Sequence, residues 1–295
     1  MDHGFERGMN MVSVGTIFTC IVSLLVSVAL PLGVLVLLAV KYKNRGMVIP
    51  WLLGAAGFFV TQILIRLPIL TILQNQSWFV SFSQEHLFLY AFGLAFTAGL
   101  FELAGRYAVA RILERKLDFH RSLAAGLGHG GIEAIVLIGS AYVSNLMFIV
   151  MINTGTYDIL LQEAQTAGLS AAQLETTIAQ LEMIREQLLH SSPALFLLAG
   201  FERILAMTAH AAMSMIVCYG VAHKKVLPCL LICLGIHTMI DLTAGISLLA
   251  GTVLSQTAVY VIVYLILAIV AAVSLLVIRE LHRRWQNTPE EEVSQ

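Results

Sequence analysis

Charge is what this sequence has least of. Only 12% of its 295 residues are Asp, Glu, Lys or Arg, about half the share of a soluble globular domain. Hydrophobic residues make up 58%, and the mean hydropathy is +0.85. A water-soluble fold is excluded on that ground. With a net charge of −1 and no basic tract, nothing suits the phosphate backbone of a nucleic acid. Cysteine is scarce, and Cys20, Cys218, Cys229 and Cys233 all sit in apolar runs, so packing is expected of them rather than a disulfide or thiolate metal site. Proline is scarce too, with six in the chain. There is no evident internal repeat and no matched pair of broken helices, which counts against a transporter. No cleavable signal peptide is expected, because the first apolar run, about 11–40, is too long for an h-region.

What is present is apolar sequence in lengths that cross a bilayer, for which about 20 residues suffice. Seven runs qualify, roughly 12–40, 48–72, 87–110, 122–151, 194–222, 227–250 and 256–279. The breaks between them alternate in charge. "KYKNR" (Lys41 to Arg45), "RILERKLDFHR" (Arg111 to Arg121), "HKK" (His223 to Lys225) and "RELHRRW" (Arg279 to Trp285) are basic. The intervening breaks carry a single basic residue, Arg185. By the positive-inside rule the N-terminus is outside and the C-terminus cytoplasmic. The expected fold is all-α, a polytopic transmembrane helix bundle forming one integral membrane domain over 1–295.

The break at 153–192 reads as an extracytoplasmic helical insertion. Ser170 followed by Gln173 marks a helix start, and Leu174, Ile178, Leu181, Ile184 and Leu188 recur at helical spacing. Residues 286–295 read as a disordered tail.

Ionisable groups inside spans cost free energy and mark function. The third run holds Glu102 and Arg106, the fourth His129 and Glu133, the fifth Glu202, Arg203 and His210, and the sixth His237 and Asp241. At the helical rise, Glu133 lies about 16 Å from the cytoplasmic end of its span, while Glu202 and His210 lie about 12 and 24 Å from the outer end of theirs. Four spans therefore offer polar groups to one slab. Imidazole and carboxylate are ligands for zinc, and a catalytic zinc keeps one position open for water. The same groups also suit a metal-free acid–base site or a proton pathway. Plainer uses compete with these. Glu102 and Arg106 also read as an ion pair, Arg203 as a partner of Glu202 or Glu133, and Arg66 as a structural or snorkelling residue.

The strings "FELAGR", "GLGHGGIEA", "FER" followed by a histidine, and "HTMID" resemble, in content and order over roughly 50–245, the YhfC-type membrane peptidases. These are grouped with the CAAX prenyl endopeptidases, the PrsW proteases and the anterior-pharynx-defective subunit of gamma-secretase. The resemblance implies an intramembrane peptidase dependent on a metal or on glutamate. Glu102 and Arg106 match its acidic motif, His210 its second motif, and His237 with Asp241 its third, while His129 and Glu133 look like an added pair. Leu103 stands where that acidic motif has a second glutamate. The base is then Glu102, Glu133 or Glu202, or the site is inactive.

On this reading His129, His210 and His237 hold a metal, with zinc the candidate, while Arg106 and Arg203 fix the carboxylates and Asp241 orients a histidine. The substrate is a membrane-embedded or lipidated peptide in a bacterial plasma membrane. A non-catalytic scaffold or immunity-type partner is the first alternative, and a small proton-coupled transporter the second.

Overall fold

The computed structural model describes residues 11–250 and 254–287, without the side chains of residues 172 and 246–250. The described residues form ten helices of eight or more residues, two short 3-10 turns (Lys43–Arg45 and Glu114–Lys116) and no strand. The ten helices are α1 (Val14–Lys41), α2 (Val48–Gln74), α3 (Ser77–Glu85), α4 (Leu87–Leu113), α5 (Phe119–Thr154), α6 (Tyr157–Thr166), α7 (Ala171–His190), α8 (Pro193–Ala222), α9 (Val226–Ala250) and α10 (Gln256–Gln286). Seven of them, α1, α2, α4, α5, α8, α9 and α10, are long and apolar enough to cross a membrane. They coincide with the seven apolar runs to within a few residues. Helices suit hydrocarbon because every backbone group finds its partner within the segment. On α10, Val261, Leu265, Ile269, Val273 and Leu276 are exposed, as side chains facing lipid should be.

The connections hold more helix than their sequences announce. The stretch after Gln74 forms α3, where Phe79 packs edge-on to Tyr90 of α4 (ring centroids 5.7 Å apart). The segment 153–192 contains two helices, α6 and α7. The second begins where the sequence places it, with Ser170 and Gln173 capping each other reciprocally. The tail expected over 286–295 lies, from 288 onward, outside the described residues. Two transmembrane helices depart from α geometry: Phe59–Arg66 of α2 and Ala134–Gly139 of α5 are π-helical.

The chain folds as two compact units. One comprises residues up to Ala29 together with Ile135–Phe201. Its core joins Cys20, Tyr142, Ile149, Ile152, Tyr157, Leu188 and Phe196, with Leu181 and Ile184 of α7 packed against it. The amphipathic helix α7 therefore buries its apolar face within this unit. Tyr157 donates to the carbonyl of Leu181 at 2.8 Å, and Arg185 pairs with Asp158 at 3.0 Å. The carbonyl of Phe196 accepts two hydroxyls, from Ser23 and Tyr142, each at 2.6 Å.

The other unit comprises Leu30–Ala134 and Glu202–Gln295. Here α2 and α5 meet backbone to backbone. A Cβ on Gly128 would lie 1.9 Å from the Trp51 carbonyl oxygen, and one on Gly54 1.9 Å from that of Ala125, so only glycine allows the crossing. Leu103, Val109, Ala110 and Leu113 of α4 share an apolar cluster with Met213, Val217 and Val221 of α8 and Cys233 of α9. The four cysteines are free, in keeping with a packing role.

Candidate metal centre

All nine candidate site residues belong to the second unit. Glu102 and Arg106 stand on α4, His129 and Glu133 on α5, Glu202, Arg203 and His210 on α8, and His237 and Asp241 on α9. In each of the pairs on α4, α5 and α9 the spacing of four puts both groups on one helix face. Gly130 brings α5 against α8 at this level, since its Cβ would lie 2.9 Å from that of His210.

Glu102 is the hub. It is 3% exposed, and a carboxylate so buried must be paired and hydrogen-bonded. Its Oε2 accepts from Arg106 Nη2 and from His129 Nε2, each at 3.0 Å. Its Oε1 accepts from Gln62 Nε2 at 2.6 Å and lies 3.5 Å from His237 Nε2. Phe58 closes the far side of His129, edge to face with centroids 5.3 Å apart.

His210 links this hub to a second cluster. Its Nδ1 lies 3.7 Å from Glu102 Oε2 and accepts from Arg106 Nη2 at 2.5 Å. That contact leaves the ring proton on Nε2, which lies 2.6 Å from Glu133 Oε2, although outside hydrogen-bond geometry. Arg203 in turn donates to Glu133 Oε1 at 3.1 Å and to Glu202. The alternatives of Glu202 or Glu133 as partner of Arg203 are thus both realised.

Asp241 Oδ2 lies 3.2 Å from His237 Nε2, the same nitrogen that faces Glu102. The two carboxylates therefore flank one nitrogen, and His237 Nδ1 has no hydrogen-bond partner among the described residues. Asp241, expected to orient a histidine, lies beside the same His237 nitrogen that faces Glu102.

Glu102, His210 and His237 each offer a ligand atom, all within 4.8 Å of one another and all buried. One carboxylate and two imidazoles are a donor set suited to zinc, so the residues present fit a divalent cation in kind. His129, expected among the ligands, stands outside this group and serves as a donor to Glu102. Leu103 sits in the apolar cluster, so the position of the missing second acid does not face the polar group.

Two contributors escape the motif reading. Gln62 is buried and touches Glu102 directly. Arg66 is structural, as expected: it donates to the carbonyl of Leu94 at 2.7 Å, to Gln62 Oε1 at 3.4 Å and to Thr97 at 3.4 Å. The available signal was a lone amide in an otherwise apolar stretch, four residues before that arginine.

The sequence profile of the YhfC intramembrane metalloprotease family matches residues 26–265, a stretch containing every residue of both clusters. This chain belongs to the YhfC family. It is 30% identical over 241 residues to the uncharacterized membrane protein YhfC of Bacillus subtilis (strain 168), covering 81% of this chain and 88% of that protein. No solved structure matches. Family membership and seven apolar helices make this a multi-pass membrane protein.

Proposed function

We propose that this YhfC-family chain is an intramembrane zinc-dependent peptidase of a bacterial plasma membrane. The observation that carries the reading is the buried group Glu102, His210 and His237, gathered from three helices to within 4.8 Å. Intramembrane ionisable groups are expensive, and buried donors of these types converging on one point are an economical description of a cation site. These three residues would hold the metal. A bound zinc supplies Lewis acidity and lowers the pKa of its water to about 7.

The chain's own residues prepare the site. Arg106, His129 and Gln62 hold Glu102 in place. Glu133, itself held by Arg203, lies 2.6 Å from His210 Nε2, where a small rotation would let it accept the ring N–H as an outer carboxylate does for a ligating imidazole. Asp241 is the most exposed carboxylate of the set, at 32% of its side chain. On this reading it would accept a proton from attacking water in place of Glu102, Glu133 or Glu202, each of which is paired with Arg106 or Arg203. The substrate is the membrane-embedded part of a peptide or lipidated protein, entering sideways between helices.

A second reading, a metal-free scaffold, is favoured by one contact. Arg106 Nη2 touches both Glu102 and His210, so that a cation of the chain itself satisfies two of the three donors.

Metal content of the purified protein separates the two. About one zinc per chain in the wild type, lost in His210→Ala/His237→Ala with the fold intact, supports the metal centre. No metal in either protein, with both folded, removes the metal centre and leaves the scaffold or a glutamate-dependent site.

A further inference from the structure

None of the motifs that mark the site contains Gln62 or Arg66, yet these two residues control one oxygen of its hub. Both lie on the π-helical stretch of α2. Such stretches, with i→i+5 bonding, recur at functional sites. Gln62 is 7% exposed, and its Nε2 donates to Glu102 Oε1 at 2.6 Å. Its own oxygen accepts from Arg66 Nη1 at 3.4 Å. Arg66 is anchored in turn to α4, through the Leu94 carbonyl at 2.7 Å and Thr97 at 3.4 Å.

The amide is therefore oriented at both ends. Turning it over would set its oxygen against a carboxylate and its NH₂ against a guanidinium, and both contacts would repel. The two oxygens of Glu102 also divide their partners. Oε2 is taken by Arg106 and His129. Oε1 accepts from Gln62 and is the oxygen nearest His237, 3.5 Å from its Nε2. Whatever sits between Glu102 and His237 meets the oxygen that Gln62 fixes.

We propose that Gln62, oriented by Arg66, is a positioning residue that aims Glu102 Oε1 at a divalent cation shared with the two histidines. This rests on the metal-centre reading. Partners that aim a metal ligand are worth 10–100-fold in affinity, and an amide does this without adding charge beside the cation.

The test is titration of cobalt(II) into the metal-free, full-length protein in detergent, read by visible absorption and by the dissociation constant. Gln62→Leu is expected to keep one cobalt per chain, to weaken its binding about 10–100-fold, and to shift the ligand-field bands. Arg66→Lys keeps the charge and the amide but loses the planar fork, so it is expected to weaken binding several-fold. A tie that merely joins α2 to α4 would instead lower the unfolding temperature of the metal-free protein and leave the cobalt affinity and spectrum unchanged. That result overturns the proposal while the metal centre stands. If Gln62→Leu does not fold, Arg66→Lys decides in its place, and wild-type affinity in that variant overturns the proposal. A wild type that binds no cobalt overturns the metal-centre reading, and the proposal with it.

Discussion

The guanidinium of Arg106 donates to Nδ1 of His210 at 2.5 Å while it pairs with Glu102 at 3.0 Å. A single buried nitrogen thus fixes the tautomer of a candidate ligand and neutralises the carboxylate beside it. Removing one partner of a buried ion pair strands the other charge. Arg106→Gln should cost about 3–5 kcal/mol, seen as a lower thermal midpoint in detergent, and Arg106→Lys should recover part of it. A midpoint unchanged in Arg106→Gln would mean that Glu102 is satisfied without the arginine.

Glu133 and Glu202 share Arg203 but should not be equivalent. The Glu133 side chain is 13% exposed and lies against His210, whereas that of Glu202 is 31% exposed. Glu133→Gln is expected to weaken zinc binding about 10–100-fold, as loss of an outer carboxylate does. Glu202→Gln should change it little and cost under about 1 kcal/mol of stability. Chelator competition on both variants makes the comparison, and equal effects would remove Glu133 from its place behind His210.

Glycine positions offer a test of the packing. Gly128→Ala drives a methyl into the Trp51 carbonyl, 1.9 Å away, and overpacking of this kind costs about 1–3 kcal/mol or more. Gly93 has nothing within 4 Å of its would-be Cβ. Gly93→Ala should therefore leave stability unchanged or raise it by up to about 1 kcal/mol. Thermal unfolding of the pair reports the difference.

The alternating charge of the breaks predicts which side each faces. In a background without native cysteines, Glu186→Cys on α7 should react with a membrane-impermeant maleimide added to intact cells. Lys225→Cys, between α8 and α9, should react only after lysis. The opposite pattern would invert the orientation.

The parts of this architecture visible in the sequence are those that break a rule of lipid solubility. Glu102, His129, Glu133, His210, His237 and Asp241 stand out because charged or titratable groups are rare in apolar runs. Helical spacing and span order set them at similar depth, while their convergence comes from the packing of the four helices. Gln62 stayed hidden because an amide breaks the pattern only mildly. The π-helical stretches stayed hidden because their wider turn depends on packing against other helices and leaves no periodicity of its own. Residue spacing puts Asp241 one turn from His237 but says nothing about which ring nitrogen it approaches. Helix α3 is too short for a clear apolar stripe, so its segment reads as connection, and within the helical insertion 153–192 the apolar spacing marks α7 but not the short α6.

The Phe196 carbonyl, shared by the hydroxyls of Ser23 and Tyr142, ties α1, α5 and α8 together at one oxygen without using a charge. Deleting either hydroxyl removes one of these two hydrogen bonds, each worth about 0.5–1.5 kcal/mol. Variants such as Ser23→Ala or Tyr142→Phe would therefore show as reduced abundance in the membrane, with normal metal content in the protein that survives. A screen that scores only lost phenotype would place them beside the site residues. Scoring protein level as well would set them apart.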